Sequence, residues 1–330
     1  MEWISVATIF LVECVIFVNG WTDAPTAIVS AVSGKALSYR NAVILAAVCN
    51  FGGVLLTCTT GSAVAETILE LLHFSGTSAR LALLSLLCVM LSILIFAVGA
   101  WFFGIPTSES HALIGALAGA ALAVNGVHGI DTQTAWTVFF GMLLSVLLGI
   151  VGGSIVMKFS TRRLKHLSPP ALCRRQISTA GCLSFLHGAQ DGQKFYSILC
   201  LVQILLGGKG IAVSSFSTPL LIALTMGLGT MAGGRRIIEH IGNDLAAADP
   251  YTALCSDYTA ILGLAGATGL GLPVSTTHCK TASMLGCAMA ANKQFSPAVA
   301  LQILFTWIFT LPACAVLSFF LTVLARGFLL

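Results

Sequence analysis

Two short motifs rich in hydroxyl side chains share one pattern although they lie far apart in this sequence. The first, Gly-Ile-Pro-Thr-Ser-Glu-Ser-His, occupies 104–111, and the second, Gly-Leu-Pro-Val-Ser-Thr-Thr-His, occupies 271–278. Proline suits a helix start, and a nearby Ser or Thr can cap the exposed N–H groups. These N–H groups and the helix dipole attract anions. The motifs predict an anion site lined by Thr107, Ser108, Ser110, Ser275, Thr276 and Thr277.

Two such helix N-termini, approaching from opposite sides, would surround a tetrahedral oxyanion with N–H and hydroxyl donors. The alternative interpretation is that these hydroxyls only cap helices in a packed bundle. Duplication favours the ligand site, because transporters built from repeats place one shared site where the halves meet.

A second duplicated motif ends in an aspartate. It reads Asn-Gly-Trp-Thr-Asp at 19–23 and His-Gly-Ala-Gln-Asp at 187–191. An ionised carboxylate at mid-bilayer costs on the order of 2.5–3.5 kcal/mol, so Asp23 and Asp191 are functional candidates. A carboxylate can hold a cation or a proton beside an anion, which predicts cation-coupled symport. The alternative is that each aspartate only caps a helix.

Further polar side chains lie in or beside these motifs. A carboxylate at an anion-binding helix start is repulsive unless it is protonated or paired with a cation, so Glu109 is predicted to carry a proton. Thr22 is assigned to the cation site, and Gln190 and Lys194 are assigned to the anion site. Lys194 and Lys280 leave two roles open, because either could neutralise an anion or pair with Asp191.

Two histidines, His111 and His278, end the hydroxyl motifs. No His/Cys spacing typical of a zinc site accompanies them. We therefore expect hydrogen-bonded structural histidines rather than metal ligands.

The composition decides what kind of protein must position these residues. Of the 330 residues, 57% are hydrophobic and 8% are charged, with a mean hydropathy of +0.96. Soluble domains carry about 25% charged residues, so the composition indicates an all-α polytopic membrane protein. It excludes a cytosolic enzyme, a nucleic-acid binder and a disulfide-stapled secreted domain. The eleven cysteines form no C-x-x-C pair and are expected to be small buried hydrophobes.

The apolar segments predict about ten membrane crossings, each needing about 20 residues. Full-length candidates are 41–59, 81–103, 134–157, 211–231, 251–271 and 298–325. Four more regions are interrupted by polar residues or proline. The interruptions are at Asn19–Asp23 in 3–34, at His187–Lys194 in 176–207, and at the start of 105–124 and 272–291.

The basic residues predict the orientation, because cytoplasmic loops are enriched in Lys and Arg. The segment 158–175 is strongly basic and is expected to be cytoplasmic, with both termini extracytoplasmic. Residues then predicted on the cytoplasmic side are Lys35, Arg40, Lys158, Arg162, Arg163, Lys165, Arg174, Arg175, Arg235, Arg236 and Lys293. Only Arg80, Lys209 and Arg326 fall on the opposite side.

The recurrence of both motifs in the same order predicts two repeats, 1–157 and 176–330, joined by the basic linker 158–175. Asp23 precedes Pro106 by 83 residues, and Asp191 precedes Pro273 by 82. Each half has five predicted crossings, an odd number, so the halves are oppositely oriented. Inverted repeats with broken helices or re-entrant hairpins are typical of secondary transporters, with the site near the midplane.

Two other classes of function compete with a carrier. An intramembrane hydrolase or transferase using Ser, His and Asp needs one asymmetric nucleophile–base pair, whereas here all three residue types are duplicated. A passive anion channel would show uptake that does not depend on an ion gradient. No Walker A motif is present and no cofactor is expected.

The four motifs together resemble those of the inorganic phosphate transporter (PiT) family. Each half of that family carries a G-A-N-D-like signature and a P-x-S-x-T-H signature. Here they read GWTD at Gly20–Asp23, GAQD at Gly188–Asp191, then PTSESH and PVSTTH. The resemblance covers essentially the whole chain. It implies a phosphate symporter driven by sodium or protons, a homodimer, and a cytosolic regulatory protein like that of bacterial relatives.

The family's aspartates correspond to Asp23 and Asp191, so the resemblance places a coupling sodium there. Its hydroxyl donors correspond to Ser108, Ser110, Ser275 and Thr277. The family asparagine before each aspartate is replaced by Thr22 and Gln190, and a second one, three residues beyond, by Thr26 and Lys194. These replacements affect the expected sodium ligands more than the anion site.

The family also includes sulfate carriers, so a sulfate permease is the alternative within the same fold. A carboxylate can accept a hydrogen bond from hydrogen phosphate but not from sulfate. An aspartate close to the hydroxyl motifs would therefore favour phosphate.

Overall fold

The computed structural model describes residues 2–72, 76–103, 107–164, 166–208, 216–244, 250–292 and 297–329. Pro106, with the rest of 104–106, lies outside the described residues, as do Lys165, Lys209 and Lys293. No strand occurs within the described ranges. The α-helices are α1 Glu2–Thr22, α2 Val29–Ser33, α3 Tyr39–Thr60, α4 Ala63–Glu70, α5 Ala79–Phe102, α6 Glu109–Asn125, α7 Thr132–Leu164, α8 Pro169–Leu205, α9 Ser217–Ala232, α10 Arg235–Asp244, α11 Pro250–Gly269, α12 Thr276–Ala290 and α13 Pro297–Leu329, with 3₁₀ turns at Ala24–Ile28 and Gly126–Gly129.

Six helical stretches in the described residues are long and apolar enough to cross a bilayer. They are Glu2–Ser33, Tyr39–Thr60, Ala79–Phe102, Glu109–Gly129, Thr132–Ser160 and Leu304–Gly327. The other predicted crossings, which contain α8, α9, α11 and α12, do not meet that measure of length and hydropathy. The protein is a multi-pass membrane protein, and the count of ten crossings stays a prediction.

The two aspartate motifs differ in backbone structure. The predicted break at Asn19–Asp23 is present, because α1 ends at Thr22 and a 3₁₀ turn containing Pro25 follows. The predicted break at His187–Lys194 is wrong, since α8 runs through it without interruption. Counted from the aspartate, Gln193 stands where the first repeat has Pro25. Glutamine keeps the backbone N–H that a continuing helix needs, whereas proline lacks it.

The two hydroxyl motifs fold alike. Ser108 caps the N-terminus of α6, and its Oγ accepts a hydrogen bond from the His111 N–H at 3.2 Å. Ser275 caps α12 in the same way, accepting from the His278 N–H at 3.1 Å. Both helices therefore begin after the serine and not at the proline, and the predicted helix N-termini are confirmed.

The helices of the two halves are interleaved. Helix α6 packs against α13 while α12 packs against α7, and α3 packs against α8 while α1 packs against α9. The first glycine of each aspartate signature permits close approach. A Cβ on Gly20 would lie 2.3 Å from the Met226 carbonyl oxygen, and one on Gly188 would lie 2.2 Å from that of Asn50. The site is therefore formed by helices from both halves.

The basic segment 158–175 is largely helical. Helix α7 continues to Leu164 and α8 begins at Pro169, which leaves 165–168 between the two helices. The expected loop is therefore much shorter than the basic segment itself.

Large apolar side chains cover the outside of the bundle, for example Phe10, Phe140 and Phe309, as expected where lipid replaces water. Most cysteines are buried or half-buried, as predicted, although Cys182 is exposed.

Candidate functional site

The capped ends of α6 and α12 meet inside the protein. The Ser108 hydroxyl donates to the Ser275 hydroxyl at 2.8 Å, and both side chains are fully buried. Two helix N-termini, one from each half, therefore point into one place. The remaining hydroxyl residues, Thr107, Ser110, Thr276 and Thr277, are also buried.

One side of this meeting point is acidic. The Glu109 N–H donates to Asp23 Oδ2 at 3.2 Å, and the Thr22 hydroxyl donates to Glu109 Oε1 at 2.6 Å. Glu109 Oε2 is buried without a hydrogen-bond partner among the described residues, and so is the Thr277 hydroxyl, which lies beside the Asp23 carboxylate. Within the described residues, neither carboxylate forms a salt bridge at 4 Å or less.

The other side is neutralised by a lysine. Lys194 Nζ donates to Asp191 Oδ1, to Ser110 Oγ and to the Val274 carbonyl oxygen, each at 2.6 Å. Asn19 Nδ2 donates to the second oxygen of Asp191 at 3.1 Å. Lys194, Asp191 and Ser110 all lie in the protein interior.

The contacts of Lys194 agree with one of its two predicted roles, and the other, neutralising an anion, stays a prediction. An ammonium group has three N–H donors, and all three are directed to protein oxygens. Lys194 therefore pairs with Asp191, as one of the two predictions for it requires.

Gln190 also has protein partners. Its Nε2 donates to Thr268 Oγ1 at 3.0 Å and to the Leu272 carbonyl at 3.2 Å. Its Oε1 accepts from the Val274 N–H at 3.4 Å. Gln190 thus holds the segment between α11 and α12, which supplies the Val274 carbonyl to Lys194.

Lys280 lies in a separate polar cluster. Its Nζ donates to Ser30 Oγ and Ser256 Oγ, each at 2.9 Å, and pairs with Asp257. The possibility that Lys280 pairs with Asp191 is therefore wrong. Its long side chain points toward α2 and α11, which pack against each other.

The two motif histidines differ. His111 Nδ1 lies 3.0 Å from Ser108 Oγ, which agrees with a hydrogen-bonded structural histidine. That expectation is wrong for His278, since neither ring nitrogen has a hydrogen-bond partner in the described part of the chain. Its ring stacks between His111 and Trp307, with centroids 4.2 and 4.4 Å away. No group of three or more metal-binding side chains occurs in the part of the chain described.

Three contributors to the site were not predicted: Asn19, His187 and the Val274 carbonyl. His187 Nδ1 lies 3.5 Å from Asp191 Oδ2 and 3.1 Å from Thr276 Oγ1. Asn19 and His187 each precede an aspartate by four residues, which places them on the same helix face as that aspartate. The spacing could therefore have predicted Asn19 and His187. Nothing in the sequence predicts the Val274 carbonyl, because every residue has a main-chain carbonyl.

Comparison with known proteins identifies the chain. The sequence profile described as the Phosphate transporter family matches it twice, at residues 19–172 and 165–318. The chain belongs to this phosphate transporter family. The double match agrees with the internal repeat read from the motifs, and the resemblance to phosphate transporters is confirmed.

Relatives and a solved structure extend this result. A probable low-affinity inorganic phosphate transporter of Bacillus subtilis (strain 168) is 33% identical, covering 96% of this chain and 97% of that protein. One of the same description from Rhizobium meliloti (strain 1021) is 31% identical, covering 92% and 90%. A solved structure described as "The sodium-dependent phosphate transporter" shares the fold, with a TM-score of 0.85 at 19% identity over 100% of both chains. As a member of this family the protein is a transporter and not an enzyme.

Proposed function

We propose that this protein imports inorganic phosphate by cation-coupled symport with alternating access. The observation that carries the proposal is the meeting of the α6 and α12 N-termini at Ser108 and Ser275. The names of the Bacillus and Rhizobium relatives support phosphate as the cargo. The sodium dependence named for the structural neighbour supports symport.

Phosphate would bind where the two N-termini meet. The hydroxyls of Ser108, Ser110, Ser275 and Thr277 donate to its oxygens, with Thr107 and Thr276 beside them. The hydrogen bond between Ser108 and Ser275 would be exchanged for bonds to the anion. The positive dipole ends of α6 and α12 add to the attraction. Gln190 and Lys194 shape this place through their protein contacts.

The balance of charge explains why a cation must accompany the anion. Asp23, Glu109 and Asp191 are three buried carboxyl groups, and Lys194 is the one ammonium group paired with any of them among the described residues. A phosphate anion would add to this excess of negative charge, which is costly inside a membrane. Protons or sodium ions at Asp23 and Glu109 offset it, so cation and phosphate bind together.

Phosphate is favoured over sulfate by the position of Asp23. Its carboxylate touches the first residue of α6, directly after the capping Ser108. A carboxylate there accepts a hydrogen bond from hydrogen phosphate and repels fully ionised sulfate. A sulfate permease remains the alternative cargo assignment, and a passive channel the alternative mechanism.

The membrane arrangement is part of the proposal. We place the halves in inverted topology with about ten crossings, both termini outside, and the basic segment 158–175 in the cytoplasm. The reciprocal packing of α6 on α13 and of α12 on α7 supports two equivalent halves. A homodimer and a cytosolic regulatory protein follow only from the family resemblance.

Labelled phosphate uptake into proteoliposomes tests the proposal, with sodium and proton gradients imposed separately and excess unlabelled sulfate added. Gradient-driven uptake that sulfate leaves unchanged is expected. Uptake without any gradient dependence would indicate a channel, and uptake abolished by sulfate would indicate a sulfate permease.

Glu109→Gln separates the two coupling ions. If Glu109 carries the proton, the variant keeps its fold but loses the response of uptake to an imposed proton gradient. An unchanged proton response in Glu109→Gln would exclude Glu109 as the carrier.

A further inference from the structure

The cation partners of the two aspartates differ between the repeats. Lys194 stands three residues after Asp191, whereas Thr26 stands three residues after Asp23. Thr26 cannot supply a positive charge, and its hydroxyl donates to the Asp23 backbone carbonyl at 2.8 Å. One aspartate therefore has a cation built into the chain, and the other does not.

The surroundings of Lys194 Nζ have the chemistry of an alkali-metal site. Three oxygens lie 2.6 Å from it: a carboxylate oxygen of Asp191, a hydroxyl oxygen of Ser110 and the main-chain carbonyl of Val274. Val274 belongs to the non-helical segment before α12. Carbonyls of unwound segments at the repeat interface are what secondary transporters use to hold a coupling ion. A lysine ammonium is a compact point charge that can take such a position.

We infer that Lys194 is a tethered cation that permanently fills one of two symmetry-related coupling-ion positions. This inference rests on the proposed symport and deepens it. The three oxygens on the Asp191 side already bind Lys194 Nζ, so they are not available to a sodium ion while Lys194 is in place. The mobile cation therefore binds on the Asp23 side alone, and each phosphate is carried with one fewer mobile cation than a site with two open positions would require.

The repeat relationship identifies the open position. Aligning the two hydroxyl motifs pairs Ser110 with Thr277 and Val274 with Thr107. The counterparts of the three Lys194 ligands are then the Asp23 carboxylate, the Thr277 hydroxyl and the Thr107 carbonyl. Thr277 does lie beside Asp23.

Nearby oxygens also lack partners on this side. Asn19 Oδ1 and Glu109 Oε2 are both buried and have no hydrogen-bond partner among the described residues. Buried acceptors without partners are costly, so a cation or a proton that binds beside them gains stability.

Two substitutions test the inference. Asparagine at position 194 supplies an amide oxygen and leaves space for an ion, whereas methionine fills the space without an oxygen. We expect Lys194→Asn to bind sodium at the vacated position and Lys194→Met not to. The first readout is thermal unfolding of the purified full chain without phosphate, in sodium chloride against choline chloride at fixed pH.

In that measurement, sodium raises the Tm of Lys194→Asn more than that of the native protein or of Lys194→Met, because a ligand that binds the folded state stabilises it. A Lys194→Asn protein that folds only in sodium buffer gives the same answer. Equal sodium responses in the three proteins, or a Lys194→Asn protein that sodium does not stabilise, would overturn the inference.

The second readout is phosphate uptake in proteoliposomes. Without sodium, Lys194→Asn uptake falls by about tenfold or more, which corresponds to about 1.4 kcal/mol, and sodium restores it. Lys194→Met loses uptake with or without sodium. If both variants lose phosphate affinity alike and sodium restores neither, Lys194 is a phosphate ligand and the inference fails.

Lys280→Asn is the matched control, because Lys280 is equally buried and also pairs with an aspartate. Its cluster lacks a main-chain carbonyl ligand among the contacts described. Sodium is not expected to raise the Tm of Lys280→Asn. The same rise in Tm as in Lys194→Asn would show that any buried aspartate without its lysine responds to sodium. Should the native protein fail to transport phosphate, the proposed function fails, while the unfolding measurement still decides the role of Lys194.

Discussion

The Asp23 and Asp191 sides of the site have related sequences but opposite charge balance. Asp191 is paired with Lys194 and bonded by Asn19, whereas Asp23 touches Glu109, a second carboxyl group. The repeat thus preserves where the aspartates lie and not how they are neutralised. In our inference, this difference gives one side a fixed cation and leaves the other side to a mobile cation.

The same two regions differ in backbone structure. The chain leaves the α-helix at Asp23, before Pro25, and remains helical through Asp191 and Gln193. Beside Asp23 the backbone bonds in a 3₁₀ turn, where the Thr26 N–H donates to the Asp23 carbonyl oxygen at 3.1 Å, whereas the backbone around Asp191 is bonded within α8. The irregular side is also the side without a built-in cation, as expected where an ion must enter and leave.

The largest effect on stability is expected from separating the Asp191 pair. Lys194→Met leaves a buried carboxylate without its cation, which should lower the free energy of unfolding by about 3–5 kcal/mol. Asp23→Asn removes a carboxylate that has no salt bridge to any described residue, so it should abolish uptake at little cost in stability. Thermal unfolding and uptake measured on both variants check this. Equal destabilisation by the two changes would contradict the difference between the sides.

Adding Asp191→Asn to Lys194→Met provides the control for that experiment. The double variant removes both charges and should recover most of the lost stability, because the cost arises from the unpaired charge. It should remain inactive.

Exchanging the backbone chemistry of the two regions should give the next largest effect. Gln193→Pro introduces into α8 the residue that the first repeat has at Pro25, and should cost about 3 kcal/mol or more. Pro25→Ala should cost much less, because the 3₁₀ turn needs no bond from that N–H. Denaturation followed by circular dichroism compares the two variants, and a tolerated proline at 193 would show that α8 can break like α1.

A smaller loss is expected from the close helix contacts at the two signature glycines. A Cβ at Gly188 or Gly20 would lie 2.2 or 2.3 Å from a backbone oxygen of α3 or α9. Gly→Ala at either position should destabilise the protein by about 1–3 kcal/mol. Gly99→Ala is the matched control, since a Cβ added there would meet nothing within 4 Å and alanine favours a helix. Stability unchanged at Gly188 would mean that α3 and α8 can move apart.

The smallest change in stability is expected from removing a helix cap, and this change tests whether Ser108 also binds the anion. Ser108→Ala and Ser78→Ala each remove an N-cap hydroxyl, from α6 and α5, and each should cost about 1 kcal/mol. Only Ser108→Ala should also raise the KM for phosphate uptake, because Ser108 lies where the two N-termini meet. An equal KM for the two variants would favour the interpretation that the motif hydroxyls only cap helices.

Local sequence rules were sufficient for several parts of the site. The N-caps at Ser108 and Ser275 follow from hydroxyls three residues before a helical N–H, and the break at Asp23 follows from a nearby proline. The apolar composition determined that the helices lie in a membrane. The repeated motifs predicted that the two halves share one site.

Only the tertiary structure decided how the charged groups pair. Lys194 reaches Ser110 and Val274, which are 84 and 80 residues away, and Asn19 reaches Asp191 across 172 residues. It also showed that Lys280 belongs with Asp257 and that His278 stacks on rings in place of hydrogen bonding. Propensity and capping act within about one helical turn, whereas these partners are chosen by how helices of different halves pack. The sequence therefore determined which chemical groups are available, and helix packing determined which of them neutralise one another.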